Sequence, residues 1–144
     1  NWTVNARGSG TVTAGMTLGE ANSETGNALA LPAKTSECDY VRPKNGPKGV
    51  ALMFENGHFS RVDVTSGTVA TTEGAKIGDS EARIKSLYPD AVVTAHKYLP
   101  KGHYLTVTPP DAANYRIVFE SDGTKVTKYR SGKMPAVEYV EGCA

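Results

Sequence analysis

Three histidines, two cysteines and fifteen carboxylates are the residues of this 144-residue chain whose types could do chemistry. His96 and His103 have the spacing that invites a metal. They sit in or near strands joined by a Leu99-Pro100-Lys101-Gly102 turn, so a cross-strand pair is conceivable. A metal site needs convergent ligands, and we read these two and His58 as surface groups. A Ser/His/Asp triad has no Gly-x-Ser-x-Gly elbow to announce it; Ser66-Gly67 and Ser131-Gly132 read as turns. A Cys/His nucleophile would need a free thiol, and Cys143 lies one residue from the end of the chain, where rigid placement is hard. Glu and Asp are present, but no pairing of glycosidase type stands out. Gly8-Ser9-Gly10 lacks the later glycine and the lysine of a phosphate loop. Asn1-Trp2-Thr3 matches a glycosylation sequon, which we read as chance. The reading is therefore a non-enzyme with no catalytic, cofactor-binding or metal residue and no cofactor.

Cys38 and Cys143 form no CxxC pair, which argues against a thioredoxin-type or zinc-knuckle role. Two free thiols in a cytosolic protein and one disulfide in an exported protein are the two readings. The second is preferred, because disulfides persist in oxidising compartments. It would tie the C-terminal tail to the first half of the chain. The chain opens without Met, so a removed export signal and a periplasmic or secreted location are expected. Sixteen basic and fifteen acidic residues leave a net charge of +1, with no basic field for nucleic acid. Lys125, Lys128, Arg130 and Lys133 come nearest to a cluster and read as a solvated strand face. No apolar run reaches a membrane-spanning length.

The elements that must position these residues are punctuated clearly. Thr17 with Glu20 three residues on is a capping box, with Leu18, Ala21, Thr25 and Leu29 at near-helical spacing after it. Asp79 or Ser80 caps a second helix carrying Ile84, Leu87 and Tyr88, which Pro89 ends. Asn56-Gly57 between Val50–Glu55 and His58–Thr65 predicts a type I′ hairpin, and Asp122-Gly123 between Tyr115–Glu120 and Thr124–Arg130 predicts another. Further strands are expected at Glu37–Arg42, Ala91–Tyr98 and His103–Thr108. The mixed alternation suits a sheet with helices on one face and solvent on the other.

The chain also repeats itself. Gly15-Met16-Thr17-Leu18-Gly19-Glu20-Ala21 matches Gly78-Asp79-Ser80-Glu81-Ala82-Arg83-Ile84, and Phe54-Glu55-Asn56-Gly57 matches Glu120-Ser121-Asp122-Gly123. Such self-similarity predicts a duplicated unit. The expectation is one α+β domain over residues 1–144, built of two tandem helix-plus-antiparallel-strand repeats sharing a sheet or core. Repeat one covers about 10–66, repeat two about 74–133, and the tail 134–144 returns to repeat one. Tyrosines crowd the second half: Tyr88, Tyr98, Tyr104, Tyr115, Tyr129 and Tyr139. Tyrosine offers contact area at low entropy cost. Tyr98, His103 and Tyr104, around the Lys101-Gly102 turn, form the expected interaction patch.

The two openings, Val12-Thr13-Ala14-Gly15-Met16-Thr17 and Lys76-Ile77-Gly78-Asp79-Ser80-Glu81-Ala82-Arg83, each leading to a helix and hairpins, resemble the beta-lactamase inhibitor protein fold. They are also similar to the small outer-membrane lipoproteins of the SmpA/OmlA type. The second opening, and the closing Tyr139-Val140-Glu141-Gly142-Cys143, look like segments of uncharacterised exported bacterial proteins. The resemblance departs from the inhibitor in its cysteines: that fold has a disulfide in each repeat, and only one is available here. It implies a fold and an extracytoplasmic compartment. The functional expectation is an exported, monomeric, non-catalytic domain that binds another protein, as an inhibitor of a periplasmic or secreted hydrolase. A cell-envelope assembly accessory and a small hydrolase are the alternatives.

Overall fold

The computed structural model describes residues 2–144, so the Asn1 of the sequon lies outside the described residues. Three two-residue strands come first: β1 (Val4–Asn5), β2 (Gly8–Ser9) and β3 (Val12–Thr13), paired antiparallel in a small sheet. Helix α1 (Leu18–Glu24) leads to β4 (Cys38–Val41), β5 (Val50–Glu55) and β6 (His58–Val64). Helix α2 (Glu81–Leu87) leads to β7 (Val92–Ala95), β8 (His103–Val107), β9 (Tyr115–Ser121) and β10 (Val126–Lys133). The last seven strands make one antiparallel sheet in the order β4-β5-β6-β10-β9-β8-β7. A 3-10 turn at Ala136–Glu138 comes after the last strand.

The chain is mostly β, with 37% of residues in strands or isolated β-bridges and 12% in helices. This overturns the expected α+β architecture of two tandem helix-plus-strand repeats. Three strands precede α1, three follow it, and four follow α2, so the two halves are not one unit repeated. Both helices do start where their caps predict. Thr17 accepts from Glu20 N at 3.1 Å while Glu20 accepts from Thr17 N at 2.9 Å. Ser80 accepts from Arg83 N. Each then stops after seven residues. Thr25 turns its hydroxyl back onto the carbonyls of Ala21 and Asn22, and Asn27 takes a left-handed φ of 63°. Tyr88 leaves the helical region before Pro89. Helices this short have little stability of their own; β-branched and aromatic runs carry the fold instead.

The Asn56-Gly57 turn forms as expected, with both residues at positive φ. The second hairpin turns differently. Only Gly123 has positive φ, and the Asp122 carboxylate accepts from Thr124 N and Lys125 N. β7 is shorter than the expected Ala91–Tyr98, because the amides of Tyr98 and Leu99 bond the His96 ring rather than a neighbouring strand.

Leu52, Phe54, Phe59, Val62, Leu105, Ile117, Phe119 and Tyr129 share one core with Ala21 and Ile84 from the helices. Register shifts in the β5–β6 and β9–β10 ladders let Phe59 with Val62, and Val126 with Tyr129, all join that core. The opposite sheet face was expected to meet solvent. Instead Met53, Arg61, Val118, Glu120 and Arg130 are buried there, beneath a C-terminal tail that packs Ala136 and Val137 inward. Arg130 therefore leaves the expected solvated cluster.

Candidate functional site

The tail-covered face holds two buried guanidinium groups, of Arg61 and Arg130, and the buried Glu120 carboxylate. Arg61, midway along β6, is 2% exposed. Its Nη1 donates to the carbonyls of Ala136 and Tyr139, both at 2.7 Å. Its Nε and Nη2 grip the Asp63 carboxylate at 2.8 and 2.9 Å, and Nη2 also donates to the Tyr40 hydroxyl. From β10, Arg130 Nε donates to Val137 O at 2.6 Å, and Nη1 pairs with Glu120. A Cys38–Cys143 disulfide closes the tail onto β4, as the sequence reading expected. The tail is thus a strap held by two guanidinium groups and one covalent bond.

Glu120 joins this strap to the β7–β8 loop. Burial raises its carboxyl, but the Arg130 guanidinium and the His96 bond more than offset this and hold it below the usual carboxylate range. His96 Nε2 donates to Glu120 Oε1 at 2.7 Å, while Nδ1 accepts from Tyr98 N and Leu99 N at 3.0 and 3.1 Å. Those two backbone donors specify the Nε2–H tautomer. Tyr104 stacks on the imidazole with centroids 4.6 Å apart, and its hydroxyl accepts from Lys97 N. His96 is therefore a buried group that organises a loop, not the surface histidine expected.

This arrangement is built for rigidity. Among the described residues, no buried side-chain polar atom lacks a partner, and no group of His, Cys, Asp or Glu converges on a metal position. One Ser, His and Glu do meet elsewhere: His103 Nδ1 lies 2.7 Å from Glu81 Oε2, and the Ser121 hydroxyl donates to the same oxygen. A nucleophilic triad needs the hydroxyl to donate to the imidazole. Here it donates to the carboxylate, and Ser121 is fully buried.

The expected patch is split by the pleat of β8. Tyr98 and Tyr104 lie with His96 on the tail side, while His103 faces α2 and Glu81. Tyr98 is 54% exposed, and its hydroxyl donates to Glu141 in the tail. Lys97 lies 3.9 Å from the same carboxylate and over the Tyr98 ring. Two further exposed tyrosines border the strap: Tyr139 within it, and Tyr40 from β4 beside Gly142. Tyr88 and Tyr129 are core residues, and burial pushes both phenols up. Sequence reasoning missed Tyr40, Arg61, Glu120 and Arg130. The available signal was a charged residue next to a core side chain in each of three strands: Arg61 beside Val62, Glu120 beside Phe119 and Arg130 beside Tyr129.

A crystal structure of the uncharacterized protein yfeY from Escherichia coli has the same overall fold, with a TM-score of 0.57 at 16% identity over 91% of this chain and 99% of its own. At that identity the likeness concerns the fold alone. No family model matches the chain, and no curated protein matches it.

Proposed function

We propose that this chain is an exported, non-catalytic protein-binding domain whose strapped sheet face docks a partner protein. The observation that carries this reading is the trio of exposed tyrosines, Tyr40, Tyr98 and Tyr139, set around a strap held by Arg61, Arg130 and the disulfide. Pre-ordered aromatic groups lose little entropy on docking, and residues of this type anchor interfaces. The disulfide across most of the chain supports an oxidising compartment. The sequence resemblance of the two helix openings to the beta-lactamase inhibitor protein makes an extracytoplasmic hydrolase the first partner class to test.

The test is capture of envelope and secreted proteins on the oxidised domain, in parallel with Tyr98→Ala/Tyr139→Ala. We expect a stoichiometric partner whose affinity falls at least tenfold in the variant, since interface aromatics commonly contribute more than about 1 kcal/mol each. Equal affinity would remove the tyrosine face from the reading. Reduced activity of a captured hydrolase supports inhibition, whereas a captured assembly factor supports the envelope alternative.

A further inference from the structure

On the helix side, away from the strap, a groove of about 260 Å³ opens where the end of α2 meets the end of β8. Leu87, Tyr88, Val107, Pro109 and Pro110 give it apolar walls. Among its described lining residues only Glu73 and Asp90 are charged, and both are exposed carboxylates. Neither has an ion-pair partner among the described residues. Among the described residues, Glu73 accepts only from the Tyr88 hydroxyl, at 2.8 Å, and Asp90 has no polar partner. Arg7, next to the lining residue Ala6, is engaged by the Tyr115 ring and the Asp111 carbonyl.

We infer that this groove is a socket for a lysine or arginine side chain of a partner polypeptide. An apolar trough bordered by two carboxylates without ion-pair partners matches a long aliphatic stem carrying a cation, a shape those side chains use elsewhere to cover apolar surface while keeping the charge wet. The volume lies below the roughly 300–1,000 Å³ of sites for whole small molecules, which favours one side chain delivered by a larger partner over a free ligand. Both carboxylates are exposed, so charge gives selectivity rather than high affinity. The socket is separate from the tyrosine face and stands or falls independently of it.

The test uses the full oxidised chain, with methyl chemical shifts of Leu87, Val107 and Ile117 as the readout. Three capped tripeptides are titrated: Gly-Lys-Gly, its norleucine counterpart and its acetyl-lysine counterpart. We expect the lysine peptide to perturb these methyls and to bind roughly fivefold more tightly than either neutral peptide, a selectivity typical of exposed ion pairs. Glu73→Gln and Asp90→Asn should each reduce that preference, with methyl shifts elsewhere unchanged as the check on folding. Equal binding of the three peptides, no shifts at these methyls, or a preference that survives both substitutions would overturn the socket. n-Hexylammonium binding at least tenfold more tightly than the lysine peptide would overturn the polypeptide assignment.

Discussion

Replacing Arg61 with alanine should release the strap. The substitution removes two charge-assisted bonds to the carbonyls of Ala136 and Tyr139 and the two-pronged grip on Asp63. Bonds involving a charged group contribute about 1.5–3 kcal/mol each. The Asp63 side chain is 16% exposed, so water repairs part of its loss. The expected cost is about 3–5 kcal/mol, the range for breaking one side of a buried ion pair. For a chain of this size that lowers Tm by roughly 10–17 °C. Arg61→Lys keeps the charge but not the planar fork, and about half that loss is expected. Urea unfolding at neutral pH measures the stability, and hydrogen exchange at the Tyr139 and Gly142 amides, which bond within the strap, measures its release. A loss below about 1 kcal/mol with unchanged exchange would refute the reasoning and leave Arg130 and the disulfide as the fasteners.

Reducing the Cys38–Cys143 bridge, or replacing both cysteines with serine, frees a loop with a sequence separation of 105 and should cost about 4–5 kcal/mol in urea unfolding; an unchanged midpoint contradicts it. Acid should destabilise the fold through Asp79, Glu81 and Glu120. Burial raises each carboxyl, but bonds from Lys76 and Arg83, from Ser121 and His103, and from Arg130 and His96 respectively hold each below its usual value. With the folded value the lower one, the stabilisation is present above the unfolded-state value and is lost as pH falls from about 5 through the folded values. Asp79→Asn should therefore flatten the acid limb of a urea-midpoint profile, and a parallel limb would count against this. Gly132→Ala places a Cβ 2.2 Å from Ser60 O and 2.5 Å from Arg61 Cα, so β6 and β10 must separate. A loss of about 1–3 kcal/mol is expected, and wild-type stability would show that the ladder can yield.

Local signals were legible because their physics is local. Both helix starts came from side chains within three residues of the amide they cap, and Asn56-Gly57 turned as its φ preferences require. The cysteine pairing was readable because only two cysteines are present. The similar openings at Gly15 and Gly78 also marked real helix starts, but extending them to equivalent halves failed. Each helix ends where its own C-terminal residues stop it: Thr25 and Asn27 in one case, Pro89 in the other.

Where most strands run, where both helices begin and how the chain closes on itself were determined by the sequence alone. Tertiary structure decided which polar residues matter. Arg61 is buried because a carbonyl 75 residues away lies over it, and Ser131 meets Asn5 across 126 residues. It also set His96 and His103 on opposite faces, with different carboxylates. No window of sequence contains those partners. A buried charge is tolerable only where distant groups replace its water, and the strap that supplies them is positioned by the completed sheet.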